Sequence, residues 1–166
     1  MRFKIQRGLV EVTAKSPASD TTTKFSKVEG TIDFDPDAPG SAQVEIRVDM
    51  RVFDAGDTFK NWKIKEDLDA DAHPTATLIL ARVDDAHEIT AGAFTGTATG
   101  QIKWRDHAPF VKLKGKATVD RRSVDARASF DLDVRQLGLG PPKFLMFKVD
   151  DKVAVQASVF AFVVDK

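Results

Sequence analysis

The chain has no cysteine, no tyrosine and no net charge. Without cysteine there is no disulfide framework, no thiolate metal site and no cysteine nucleophile. Lys and Arg number 25 and so do Asp and Glu. No bulk field therefore draws nucleic acid or anionic lipid, and nucleic acid is not an expected partner. No apolar run approaches a bilayer span, so the chain is not expected to span a membrane. The stretch from Met1 to Gly8 lacks the apolar core of a signal peptide. With Met1 native the expected location is cytoplasmic; with an engineered start and a leader removed, it is periplasmic.

What is present is apolar and ring-rich: 12 Phe and 2 Trp, none carrying a hydroxyl. Where such rings cluster they make a dry surface. A length of 166 residues suits one domain spanning 1–166, able to bury roughly two-thirds of its unfolded surface.

The dominant pattern has a period of two, the mark of half-buried strands. Between Ser41 and Arg51, Ala42, Val44, Ile46, Val48 and Met50 share one face, and Gln43, Glu45, Arg47, Asp49 and Arg51 share the other. Val153 to Val163 repeats the alternation, with Phe160 and Phe162 making the opposite face apolar as well, as if something packs outside. Similar runs cover Leu9–Ala14 after a break at Gly8, Phe25–Phe34, Thr75–Val83 up to a turn at Asp84-Asp85, Glu88–Trp104, Phe110–Val119 and Val124–Val134. One segment, near 58–69, has helical spacing, with Asp57 or Thr58 as its cap. The expected fold is all-β: an eight-stranded antiparallel barrel with one short helical insertion, a two-sheet sandwich being the alternative.

Eight strands enclose a lumen that side chains just fill, or that holds one ligand if they are small. The inward faces carry many small residues: Gly96, Ala98, Gly100, Gly115, Ala117, Ala126, Ala128, Ala157 and Ala161. Such a face fits a hollow barrel or a tapered solid core equally well.

Catalytic and metal motifs are missing. Asp67-Leu-Asp-Ala-Asp opens like a calcium loop, but its sixth position is Ala72 and its twelfth Leu78, where Gly and Glu belong. His73, His87 and His107 lack metal-ligand spacing. No Gly-x-Ser-x-Gly elbow or phosphate-cradling glycine loop occurs, and Pro141 and Pro142 forbid a helix after Gly140. The expected metal sites, catalytic residues and cofactors are therefore none. Two apolar clusters stand out: Phe59, Trp62, Ile64 and Leu68 in the helical segment, and Phe144, Leu145, Met146 and Phe147 in a connection between strands. The second cluster can cap the core, form a ligand's mouth, or make a dimer contact.

Several segments, in order, resemble the YceI-like family of polyisoprenoid-binding proteins. Phe25 to Pro36 resembles its Phe-x-x-x-x-Gly-x-Ile-x-Phe-Asp strand and turn. The alternating strand from Gln43 to Arg51 follows. Asp71 to Leu78, after the helical segment, resembles a Tyr-Pro-x-Ile-x-Phe strand start. Gly100 to Phe110 resembles Gly-x-Leu-Thr-Ile-x-Gly-x-Thr-Lys-Pro-Val, and Ser129 to Leu139 with Val149 to Val153 resembles the terminal turn and closing strand. Two departures stand out: the turn at Arg105-Asp106-His107 is one residue shorter, and His73 replaces the aromatic before Pro74. The resemblance implies an extended lipocalin-like barrel holding a long isoprenoid chain, such as a quinone tail. It also implies an exported, often dimeric family, which the missing leader fits poorly.

The resulting expectation is a non-enzymatic carrier or store for an isoprenoid or fatty acyl ligand. Ile46, Val48, Leu78, Phe94, Ile102, Trp104, Phe130 and Leu132 are expected to line the lumen. Trp62 and Leu68 on the helix, with Phe144 and Phe147, are expected to form its mouth. The rivals are a solid-cored interaction module, or a lipid-modifying enzyme whose three histidines meet at one rim.

Overall fold

Alternation in the sequence becomes alternation in burial. Along the last strand Val153, Val155, Ala157, Val159 and Ala161 are buried while Ala154 and Gln156 are exposed. The computed structural model describes residues 1–15, 17, 20–139, 143–144, 147–148 and 152–164, without side chains at 143–148. The strands are β1 (Arg2–Ala14), β2 (Thr21–Phe25), β3 (Val28–Asp33), β4 (Gln43–Asp49), β5 (Phe53–Asp54) and β6 (Thr75–Thr90). They continue as β7 (Ala93–Lys103), β8 (Phe110–Val119), β9 (Ser123–Asp133), the short β10 (Lys143–Phe144) and β11 (Phe147–Lys148), and β12 (Lys152–Val163). Helix α1 spans Thr58–Leu68, and single 3-10 turns cover Pro39–Ser41 and Val134–Leu137.

Eight staves close on themselves in the order β12, β9, β8, β7, β6, β4, β3 and β1, with β1 returning to β12. The pairings are antiparallel, and the β1–β12 pairing closes the ring of staves. β1 is long enough to bond β3 through Arg2–Lys4 and β2 through Val10–Ala14. β2 and β3 are thus two halves of one stave, broken at Ser26 and Lys27. The eight-stranded antiparallel barrel expected from the sequence is the observed fold.

Two strand boundaries differ from expectation. Gly8 does not delay β1, which begins at Arg2; it sits inside the strand where a Cβ would come within 2.9 Å of the Val28 side chain. Asp84-Asp85 is not a turn either. β6 runs through both residues to Thr90, and the hairpin turns at Ala91-Gly92 instead. The pair is tolerated because Asp84 is well partnered on the outer surface. It accepts from Arg82 Nε at 2.6 Å and Thr99 Oγ1 at 2.9 Å, with Lys112 Nζ at 3.5 Å. Those bonds, Arg82 first, hold its carboxyl below the ordinary carboxylate range. Bulges also break the β6–β7 register at Leu80/Arg82, Val83/Asp85 and Glu88/Thr90. Each adds a residue that alternation cannot reveal.

The helix agrees with its sequence signals. The Asp57 carboxylate accepts from Lys60 N at 2.8 Å, and Asp69 ends the helix in a left-handed conformation at φ 49°. Leu68 turns inward and is buried, whereas Phe59 and Trp62 point outward.

Gly30 shows why the β3–β4 pairing needs glycine. Its φ is 149°, and a Cβ there would run into the backbone carbonyl oxygen of Glu45 on the neighbouring strand. Gly30→Ala is expected to destabilise the protein by about 1–3 kcal/mol through that clash and the strained dihedral. Urea unfolding measures it, and an unchanged midpoint contradicts the local geometry.

Antiparallel connectivity sorts the connections onto two ends. One end carries α1 and its flanks, the β7–β8 turn and the β9–β12 connection. The other carries the β3–β4 connection, the β6–β7 hairpin, the β8–β9 turn and the N-terminus. The helix end is packed solid by Val48, Leu68, Ile102, Trp104, Phe130 and Leu132, all buried. Trp104 is its anchor: Nε1 donates to the His73 backbone oxygen at 2.9 Å, and the His73 ring stands edge-on at 6.3 Å.

Candidate ligand cavity

Beyond that plug the interior is hollow. A cavity of about 200 Å³ occupies the middle and the hairpin half of the barrel. The space exists because residues with little side chain fall beside one another. Ala86 pairs with Gly96, Gly96 with Gly115, Gly115 with Ala128, and Ala128 with Ala157, a continuous row across five strands. The neighbouring row, Ala117, Ala126 and Val159, is hardly larger. Val44, Ile46, Leu78 and Leu80 line the cavity as well, with Leu113 next to Gly115 on β8, and Phe34 and Phe94 meet edge to face at 5.0 Å. Asp85, Lys116 and Arg127 border the cavity too, but their side chains are exposed.

An apolar cavity of about 150 Å³ stays dry and accepts a benzene ring. This one is larger, aliphatic and continuous. It offers shape and hydrophobic contact and no directed chemistry, which suits a hydrocarbon chain.

Of the residues expected to line the lumen, Ile46, Leu78 and Phe94 do so. Val48, Ile102, Trp104, Phe130 and Leu132 instead fill the solid end, and Leu68 is buried with them. Trp62 is 60 % exposed on the outer face of α1, at the end remote from the cavity. Phe144 and Phe147 pair in a two-residue ladder on that same connection. Their side chains, with Leu145 and Met146, lie outside the described residues. The mouth expected at the helix is therefore not where the hollow half lies.

Seven of the small wall positions are among the inward residues expected from the sequence, and Ala42 shares the face of Ile46; Phe34, Pro39, Leu80, Val83 and Ala86 were not among the expected lining residues. For Val83 and Ala86 the bulges erased the signal.

Other candidate groups do not converge. His73 and His107 lie at the helix end and His87 on the opposite hairpin, beside Asp85 at 4.0 Å. Among the described residues no group of three His, Asp or Glu side chains could hold a metal ion, Asp67, Asp69 and Asp71 included. The outer rings on β12 have a local partner: the Arg7 guanidinium lies 4.5 Å over Phe160, whose ring meets Phe162 at 5.0 Å. Among the described residues no helix is long and apolar enough to cross a membrane.

Residues 3–161 match the YceI-like domain. The chain belongs to the YceI-like family. Solved structures agree on the fold. BcnA of Burkholderia cenocepacia superposes with a TM-score of 0.76 at 18% identity, over 92% of this chain and 95% of that one. A polyisoprenoid binding domain from Saccharophagus degradans, implicated in plant cell wall breakdown, gives 0.73 at 8% identity over 98% of both chains. The Campylobacter jejuni YCEI protein gives 0.65 at 12% identity over 86% and 85%. No curated protein sequence matches the chain.

The YceI-like segments quoted from the sequence now have physical roles. In the Phe25–Pro36 segment, Phe25 and Ile32 are core, Gly30 is the sterically required glycine, and Phe34 reaches the cavity. The shortened turn after Trp104 is a two-residue hairpin. Arg105 and Asp106 both have positive φ, 53° and 64°, and Trp104 and His107 exchange backbone bonds of 3.0 Å.

Proposed function

We propose that this YceI-like protein binds the hydrocarbon part of a lipid non-covalently in the hollow half of its barrel, and carries or stores it unchanged. The supporting observation is the cavity itself, an aliphatic space made by the Gly96–Gly115–Ala128–Ala157 row. The family fits this reading, and so does the polyisoprenoid binding named for the Saccharophagus neighbour. An isoprenoid chain, such as a quinone tail, is the favoured ligand, with a fatty acyl chain as the alternative. Ile46, Leu78 and Phe94 contact it directly in this reading. The separated histidines count against the lipid-modifying alternative, which needs them at one rim.

Burial of about ten methylene-sized groups at about 0.8 kcal/mol each supplies about 8 kcal/mol, the micromolar range before ordering costs. A longer chain gains no more unless it leaves the cavity and lies along other apolar surface. The test is to mix purified protein with a total lipid extract, re-isolate it, and analyse the organic extract by mass spectrometry. Retention of long-chain apolar species at near-stoichiometric amounts is expected. Protein that returns empty from every extract overturns the reading.

A further inference from the structure

The cavity lies inside a barrel whose helix end is obstructed, so its contents need another way in. The helix end is filled by Trp104, Phe130 and Leu132. Toward the hairpin end Phe3, Ile5, Val124 and Ala161 are buried on β1, β9 and β12. One part of the wall is not sealed. The ladder between β4 and β6 runs only from Asp49/Thr75 to Glu45/Ile79. From Arg82 to Thr90, β6 has β7 on one edge and no strand on the other. The Pro39–Ser41 turn lies against that edge, and no backbone hydrogen bond joins the two.

The cause is legible. Three bulges fall in this part of β6, and each bends the strand and adds local twist. β4 cannot follow, because its chain has already turned away at Pro39, which has no N–H to offer. The parted edges are apolar where they meet the cavity: Ala42 and Val44 on one side, Leu80, Val83 and Ala86 on the other, all half-buried.

We infer that the apolar ligand enters and leaves sideways, through this seam between β4 and β6, with the β3–β4 connection as its movable edge. The inference rests on the proposed binding of a lipid chain. It adds that a ligand longer than the cavity keeps its remaining length and its headgroup outside the barrel wall. A fixed ladder would exclude that arrangement; a seam without main-chain bonds opens at little cost.

The absence of native cysteine makes the test clean. Gln43 on β4 and Ala81 on β6 each lie two residues beyond the last ladder pair, Glu45 and Ile79, on the two edges of the seam, and both are exposed. A Gln43→Cys/Ala81→Cys variant is joined with a short, reducible bis-thiol crosslinker. The control clamp, Arg47→Cys/Thr77→Cys, joins residues already paired in the ladder. Stopped-flow uptake of the fluorescent apolar probe 1-N-phenylnaphthylamine is followed for both variants, clamped and reduced. Slowing by about tenfold or more is expected only in the Gln43/Ala81 clamp, with recovery on reduction. Equal loading rates in clamped and reduced protein overturn the side entrance and leave the cavity reading standing. Failure of the reduced and unclamped proteins to bind the probe overturns both.

Discussion

Gly115→Leu is expected to weaken ligand binding by about tenfold or more while leaving the barrel as stable as before or more so. The reason is local. A Cβ at Gly115 would meet no atom closer than the Arg127 carbonyl oxygen at 3.5 Å, an ordinary contact, and φ there is not positive. The new side chain therefore projects into the cavity without moving backbone. Glycine within a strand costs about 0.5–1 kcal/mol relative to a residue with a side chain, so replacing it recovers that amount. Apolar contact with Leu113 and the alanine row adds to it, and the melting temperature should rise by about 2–4 °C. Binding moves the other way. A leucine occupies a large part of about 200 Å³, so affinity for 1-N-phenylnaphthylamine or an isoprenoid should fall by about tenfold or more. Ala128→Leu, the neighbour in the same row, should act alike. A folded Gly115→Leu protein with unchanged affinity would mean that the ligand lies elsewhere.

That row also shows what a sequence can and cannot disclose. The period of two identifies which residues point inward, and with only Gly and Ala at many of those positions the shortage of side-chain volume is visible before any fold is known. Whether the shortage becomes a void depends on register. Gly96, Gly115, Ala128 and Ala157 come from four separate segments, and only strand pairing sets them in line. The same dependence explains why α1 does not border the cavity. Trp62 and Leu68 have helical spacing and a clear apolar character, but nothing local says which barrel end the helix covers. In the fold, α1 caps the end that Trp104 and Phe130 already fill. The strand boundaries were legible wherever alternation was strict, as in β4 and β12. They were lost in β6, where three extra residues shift the phase and an outward acid, Asp84, is satisfied by partners on β7 and β8.

The opposite separation of stability from binding is expected at Trp104. This ring is only 4 % exposed, and it closes the solid end by bonding the His73 carbonyl just before β6 begins. Trp104→Ala removes the largest side chain of that plug. It should cost about 3–5 kcal/mol, a drop of about 10 °C or more in melting temperature. Trp104→Phe keeps most of the volume but leaves the carbonyl without its donor, so it should cost less, about 1–3 kcal/mol. Neither residue change touches the cavity wall. At a temperature where the Phe variant is folded, its affinity for the apolar probe should match that of the unaltered protein. If the two halves of the barrel are distinct in this way, Gly115 variants lose binding and keep stability, while Trp104 variants lose stability and keep binding. Loss of affinity in folded Trp104→Phe protein comparable to that in Gly115→Leu would show that the ligand extends past the plug to the helix end, and the division into a solid and a hollow half would fail.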